Sequence, residues 1–287
     1  MTAGGLHFRF VQLDVPGRLG LDDGRYLLRD EDDEGQAVIV VQTLGAPPGR
    51  GSRLQRRARR AAPDPPPEVP LTRLTVIPAE PSDPEEAARE LDRETRDLEA
   101  AEAMVAAGLR SVNAVLRAHR IATQDPYGHE IARDAALVVR TGYGTGDGLA
   151  EGRWQKAVEV PPPARRQRRA QALRPQERLA AVLAGRERID VCEPLLLRAR
   201  ADLDQGRERE AALQLRAGLE ALLAEVPDRA GPDQEEDLAA LDARRDATAA
   251  DAADALAGPL SKERVAEIAE TLRICERVLR RRQALRE

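Results

Sequence analysis

Along the first part of the chain apolar residues come in short β-branched runs broken by turn residues, and along most of the rest they recur every three or four positions. "LHFRFVQLDV", "RYLLR" and "AVIVVQTL" are separated by Pro16-Gly17, "GLDDG" and "DEDDEG", which predicts a β-meander. "LTRLTVIPA" predicts a further strand. Between it and the third run lies "GAPPGRGSRLQRRARRAAPDPPPEVP", rich in Gly, Pro and Arg with little to bury, so residues 46–70 are expected to be a disordered excursion. If the flanking strands pair, that excursion belongs to one sheet and does not divide two domains.

Helical spacing starts at "SDPEEAARELDRETRDLEAAEAMVAAGL". Ser82 and Glu85 have the spacing of a capping box, and Pro84 and the acidic residues suit a first turn. "LRSVNAVLRAHRIAT" predicts a second helix, with Leu109, Val112, Leu116 and His119 at helical spacing. After the turn "QDPYGHE", "AALVVR" predicts a strand, and the glycine-alternating "TGYGTGDG" follows it. Residues 1–160 are therefore expected to form an α+β domain, with a mostly antiparallel sheet of four or five strands and two long helices.

The Pro/Arg-rich "PPPARRQRRAQALRP" predicts a linker over 161–174, and residues 175–287 read as an all-α helical bundle of four or five helices. Ile189, Cys192, Leu196, Ala199 and Leu203 form one apolar stripe. Val265, Ile268, Leu272, Cys275 and Leu279 form another.

Composition narrows the chemistry. Of 287 residues 42% are hydrophobic but only 2% aromatic, so the cores must be aliphatic. The cations are nearly all arginine, which fits a GC-rich genome. A net charge of -5 argues against wholesale wrapping of nucleic acid, and two cysteines exclude a disulfide scaffold or a four-thiolate metal site. With no apolar run long enough for a membrane span and no leader-like start, a cytoplasmic location is expected.

The glycine segment is the first candidate for ligand binding. Gly142, Gly144, Gly146 and Gly148, following a strand, offer backbone N–H groups to an anion, with Arg140 and Trp154 as lining residues. The dinucleotide fingerprint fails at Asp147 or Leu149, and the segment has no lysine for a P-loop. The second candidate is "RAHRIATQDPYGHEIAR", where His119, Asp125, Tyr127 and His129 have the residue types of acid/base catalysis; the bland alternative is a boundary histidine and an ordinary turn. "DEDDEG" has the opening offsets of an EF-hand, but Val41 stands where the loop needs a carboxylate. No metal site and no cofactor are implied.

Two arginine clusters, Arg56, Arg57, Arg59 and Arg60 in the first excursion and Arg165, Arg166, Arg168 and Arg169 in the linker, are candidates for polyanion contact. Neither is interleaved with aromatic residues on which bases stack. In the last helix Val265, Ile268, Leu272 and Leu279 are candidates for an interface, internal packing being the alternative. "DLDQGREREAALQLRAGLEALLAEVPD" resembles a single tetratricopeptide-type helical hairpin, with Gly206 at the turn, Ala211 and Gly218 at small positions of the second helix, and Pro227 after it. The aromatic positions are filled otherwise and no second copy follows, so the resemblance suggests hairpin geometry and protein contact.

The expected function is a non-enzymatic protein–protein interaction or assembly module, with another protein or a second copy as partner and no membrane. One alternative is a small-ligand-binding protein or enzyme with its site between Gly142–Gly148 and His119–Glu130. The other is an RNA- or DNA-associated protein acting through the arginine linkers.

Overall fold

The computed structural model describes residues 6–29, 35–45, 69–162, 169–226 and 232–285. The chain divides into two compact units, Met1–Arg165 and Arg166–Glu287.

The first unit is built on a six-stranded sheet: β1 (His7–Pro16), β2 (Gly24–Arg29), β3 (Gly35–Leu44), β4 (Leu71–Pro78), β5 (Val138–Thr145) and β6 (Lys156–Glu159). The strand order is β2-β3-β4-β1-β5-β6, and every neighbouring pair is antiparallel. β3 and β4 pair from Ala37↔Pro78 to Leu44↔Leu71, so the chain between them leaves and re-enters one sheet at adjacent strands. β6 is a strand beyond the four or five expected. "KAVE" is too short and too polar to stand out, and its place is fixed by pairing with β5 from Arg140↔Glu159 to Tyr143↔Lys156.

Two helices cover one face of this sheet. They are α1 (Pro84–Arg96) and α2 (Leu98–Thr123), so the chain breaks at Asp97 and not near Leu109. Asp97 is extended and its carboxylate accepts from the Glu99 N–H at 3.0 Å, which starts a new helix without a loop. The cap of α1 is Asp83, not Ser82: its Oδ1 accepts from the N–H groups of Glu85 and Glu86. Gly108 lies inside α2 because β1 passes beneath it, where a Cβ would stand 3.0 Å from the Cβ of Val11. Val11, Leu13 and Val15 of β1 share the core with Val105, Leu109, Val112 and Leu116 of α2. α1 lies over the β5–β6 end of the same face, with Ala87 and Leu91 against Tyr143. Buried Arg9 ties β1 to this helix by donating to Glu90 and Glu94, each at 2.6 Å. After α2, buried Asn113 pins the returning chain, donating to the Ile131 carbonyl at 3.1 Å and accepting from its N–H at 2.9 Å.

Among the described residues the second unit has six helices, one or two more than the four or five expected: α3 (Arg169–Leu183), α4 (Cys192–Asp204), α5 (Glu208–Glu225), α6 (Pro232–Asp242), α7 (Arg245–Ala257) and α8 (Lys262–Leu285). α3 begins inside the stretch read as linker and carries Pro175 in its interior. α4 and α5 form the expected hairpin, turning through Gly206 at φ 71°. Buried Ala211 and Gly218 let α5 approach α4, where a Cβ on Gly218 would stand 2.8 Å from Leu196. Pro227 lies outside the described residues. α5 also packs against α7 and α8, and α8 against α4 and α6. Glu225, at the end of α5, accepts from the N–H groups of Val191 and Cys192 and thereby satisfies two donors at the start of α4.

Candidate functional site

The glycine segment is mostly strand. Gly142 and Gly144 lie within β5, opposite Phe10 and Phe8 of β1, and only Gly146–Gly148 forms a single 3₁₀ turn. Alternating glycines suit a turn by composition, but in β5 they make room for neighbours and the expected loop is a strand. A Cβ on Gly142 would lie 2.5 Å from the Lys156 carbonyl oxygen and 2.7 Å from the Phe10 ring. On Gly144 it would lie 3.0 Å from the Gln155 nitrogen and 3.1 Å from Leu149. The segment joining β5 to β6 thus folds down on the face of the sheet opposite α1 and α2. Trp154 stacks on Phe10 with ring centroids 5.6 Å apart, and its indole N–H donates to the Leu149 carbonyl at 2.9 Å.

Beside this aromatic layer, strand alternation puts Gln12, Asp14, Arg73, Thr75 and Arg140 on the same face. Asp14, almost wholly buried, accepts a fork from Arg73: Nε to Oδ1 at 2.7 Å and Nη2 to Oδ2 at 2.9 Å. Arg140 reaches the same Oδ2 through Nη1 alone, at 3.2 Å, and lies over the Trp154 ring at 5.9 Å from its centroid. Burial acts to raise the Asp14 carboxyl, but the hydrogen bonds and charges of Arg73 and then Arg140 outweigh it and hold it below the usual carboxylate range. Gln12 is wholly buried; its Nε2 donates to Thr75 Oγ1 at 3.0 Å, and its Oε1 has no partner among the described residues. Of this cluster only Arg140 and Trp154 were candidates from sequence. Asp14, Arg73 and Gln12 read as ordinary strand positions, and the available signal was charge placed at inward strand positions.

No family model, curated protein or solved structure matches the chain.

The histidine segment does not join this cluster. A Cβ on Gly20 would stand 3.6 Å from Cε1 of His119, which places that imidazole by the loop after Pro16, whereas Gly144 and Gly146 lie against Phe8. Roughly 25 Å of strand separates Phe8 from Pro16. A site shared by Gly142–Gly148 and His119–Glu130 is therefore not assembled. Asp125 accepts from the Tyr127 N–H at 2.9 Å, a local turn bond, and Tyr127 and His129 are exposed. No group of three or more His, Cys, Asp or Glu side chains is placed to hold a metal among the described residues. Arg56, Arg57, Arg59, Arg60, Arg165, Arg166 and Arg168 lie outside those residues, and Arg169 opens α3. None of the described helices is long and apolar enough to cross a membrane.

In the second unit, the stripe offered as an interface is turned inward. Ile268 and Leu272 are buried in the helical core, Leu279 packs against it, and Val265 is half-buried. Cys192 and Cys275 belong to the same core, where burial pushes both thiols up to about 12. The exposed apolar surface lies elsewhere. Leu179 and Leu183 on α3, Ile189 and Val191 in the connection, and Leu197 on α4 are each more than half exposed. Arg178, next to Leu179, holds α3 to the chain that follows by donating to Glu187 and Glu193. The run "PLLLR" carried this signal: helical geometry cannot turn Leu195, Leu196 and Leu197 all toward one core.

Proposed function

We infer that the chain works as a protein–protein interaction or assembly module whose partner, another protein or a second copy, docks on the helical unit. The supporting observation is the row of exposed aliphatic side chains from Leu179 to Leu197. Large aliphatic residues scattered singly are ordinary on a protein surface, but five within one short stretch of a unit that buries its other stripes mark a surface that a partner covers. The groups with the strongest nucleophilic chemistry, the two thiols, are buried and protonated, so they supply no catalytic nucleophile.

The test is a pair of substitutions in the row. Burying one leucine side chain contributes about 1.5–3 kcal/mol, so Leu183→Glu with Leu197→Glu is expected to weaken partner binding at least about a hundredfold. Sedimentation velocity reads self-association, and quantitative affinity purification from the source organism reads another partner. A strictly monomeric protein that recovers the same proteins with and without the substitutions contradicts the reading.

A further inference from the structure

α3 is short of packing within its own unit. It has 15 residues with Pro175 inside it, and none of residues 175–183 is buried. A helix of this length is marginal in water unless one of its faces is packed. Arg178 ties it to the following chain through Glu187 and Glu193, and Ala181 and Val182 are half-buried. Leu179 and Leu183, one turn apart on another face, are 57% and 77% exposed. Around the start of α4, Val191, Pro194 and Leu197 recur every third residue and are all exposed, so they continue the apolar surface on one side of that helix.

Charge and area point to the occupant. Residues 175–204 hold five arginines and six carboxylates, so the surroundings of the row are close to neutral and favour neither a strongly acidic nor a strongly basic partner. Leu179, Leu183, Ile189, Val191 and Leu197 are 57–77% exposed, which amounts to roughly 330 Å² of apolar surface at roughly 100 Å² for a fully exposed aliphatic side chain. The smallest specific interfaces bury about 1,200 Å² in total, of which about 700 Å² is apolar, so the row needs a facing surface as apolar as itself. The chain itself carries such a surface, and two rows together give roughly 650 Å². We propose, on the docking reading above, that the row of one chain packs against the same row of a second copy across a two-fold axis, forming a weak, reversible dimer.

Purified full-length protein is studied by sedimentation velocity from ~1 to ~200 µM, a range that brackets the affinities of small interfaces. The expected result is a monomer–dimer equilibrium within that range. A two-fold axis uses every position twice, so Leu183→Glu is expected to weaken dimerisation at least about a hundredfold. Leu197→Glu, in the better-packed α4, is expected to do the same, and Leu256→Glu, at an exposed leucine outside the row, to leave the equilibrium unchanged. A protein that stays monomeric throughout the range overturns the proposal, and so does a dimer that survives both Leu183→Glu and Leu197→Glu. If such a monomer recovers from the source organism a protein that the doubly substituted chain loses, the docking reading stands with a different occupant. If it recovers none, the docking reading falls as well.

Discussion

Replacing Gly142 with alanine tests what the alternating glycines are for. The added Cβ would meet the backbone oxygen of Lys156 at 2.5 Å and the Phe10 ring at 2.7 and 2.8 Å. Neither neighbour is the free end of a flexible side chain: one is the β6 backbone, and the other is a wholly buried ring stacked on Trp154. Relief requires β5 and β6 to separate or Phe10 to leave the indole. Overpacking of this kind costs about 1–3 kcal/mol, and two rigid neighbours put Gly142 at the top of that range. Alanine also restricts the unfolded chain, which offsets about 0.4–1 kcal/mol, leaving a net loss of about 2 kcal/mol. For a unit of this size that lowers Tm by roughly 4–8 °C. Gly24→Ala is the control, since a Cβ there meets nothing within 4 Å and is expected to raise stability slightly. Urea unfolding followed by Trp154 fluorescence isolates the first unit, because the second has no tryptophan. A Gly142→Ala midpoint equal to or above the wild-type value would refute the packing role and return the segment to a permissive connection.

Three further outcomes follow from named contacts. With both thiols buried and pushed up to about 12, Cys192 and Cys275 are expected to be inert to a thiol reagent at pH 8 and to react together in urea; a fast-reacting native thiol would contradict the packing of α4 and α8. Asp14 has a folded-state pKa below its unfolded value near 3.9, so its contribution is complete above that value and is lost as pH falls below it. Asp14→Asn is therefore expected to cost about 2 kcal/mol at pH 7 in urea titrations, and the gap from wild type should narrow by pH 3; a gap constant with pH would contradict the pairing with Arg73 and Arg140. Glu225→Ala removes the acceptor for the Val191 and Cys192 N–H groups and should cost the helical unit about 1 kcal/mol, seen as a lower thermal midpoint by circular dichroism, with Glu225→Gln losing less.

Much of the architecture was legible from periodicity. Period-two runs placed β1, β3 and β4, and period-three-and-four stripes placed the helices and the α4–α5 hairpin, because burial of one face dictates both patterns. The failures have local causes. The break between α1 and α2 rests on the Asp97 carboxylate capping the next helix, while Gly108, the apparent interruption, is explained only by the Val11 side chain beneath it. β6 has a weak intrinsic signal and exists through its partner. The candidate site was least legible, since Asp14, Arg73 and Arg140 are far apart in the chain and become neighbours only through the β4-β1-β5 order. The apolar stripe of α8 was visible, but periodicity cannot say whether a stripe faces its own core or a partner. Ile268 and Leu272 face the core.

The central claim, that a partner covers the aliphatic row of the helical unit, is tested most directly by site-specific photo-crosslinking in cells of the source organism. A photoreactive residue is placed at Leu183 or Leu197, and at Leu256 as an exposed aliphatic position outside the row. The account predicts a discrete adduct from Leu183 and from Leu197, none from Leu256, and loss of both adducts when Leu179 is changed to Glu. No adduct from the row, or the same adducts from all three positions, would contradict it.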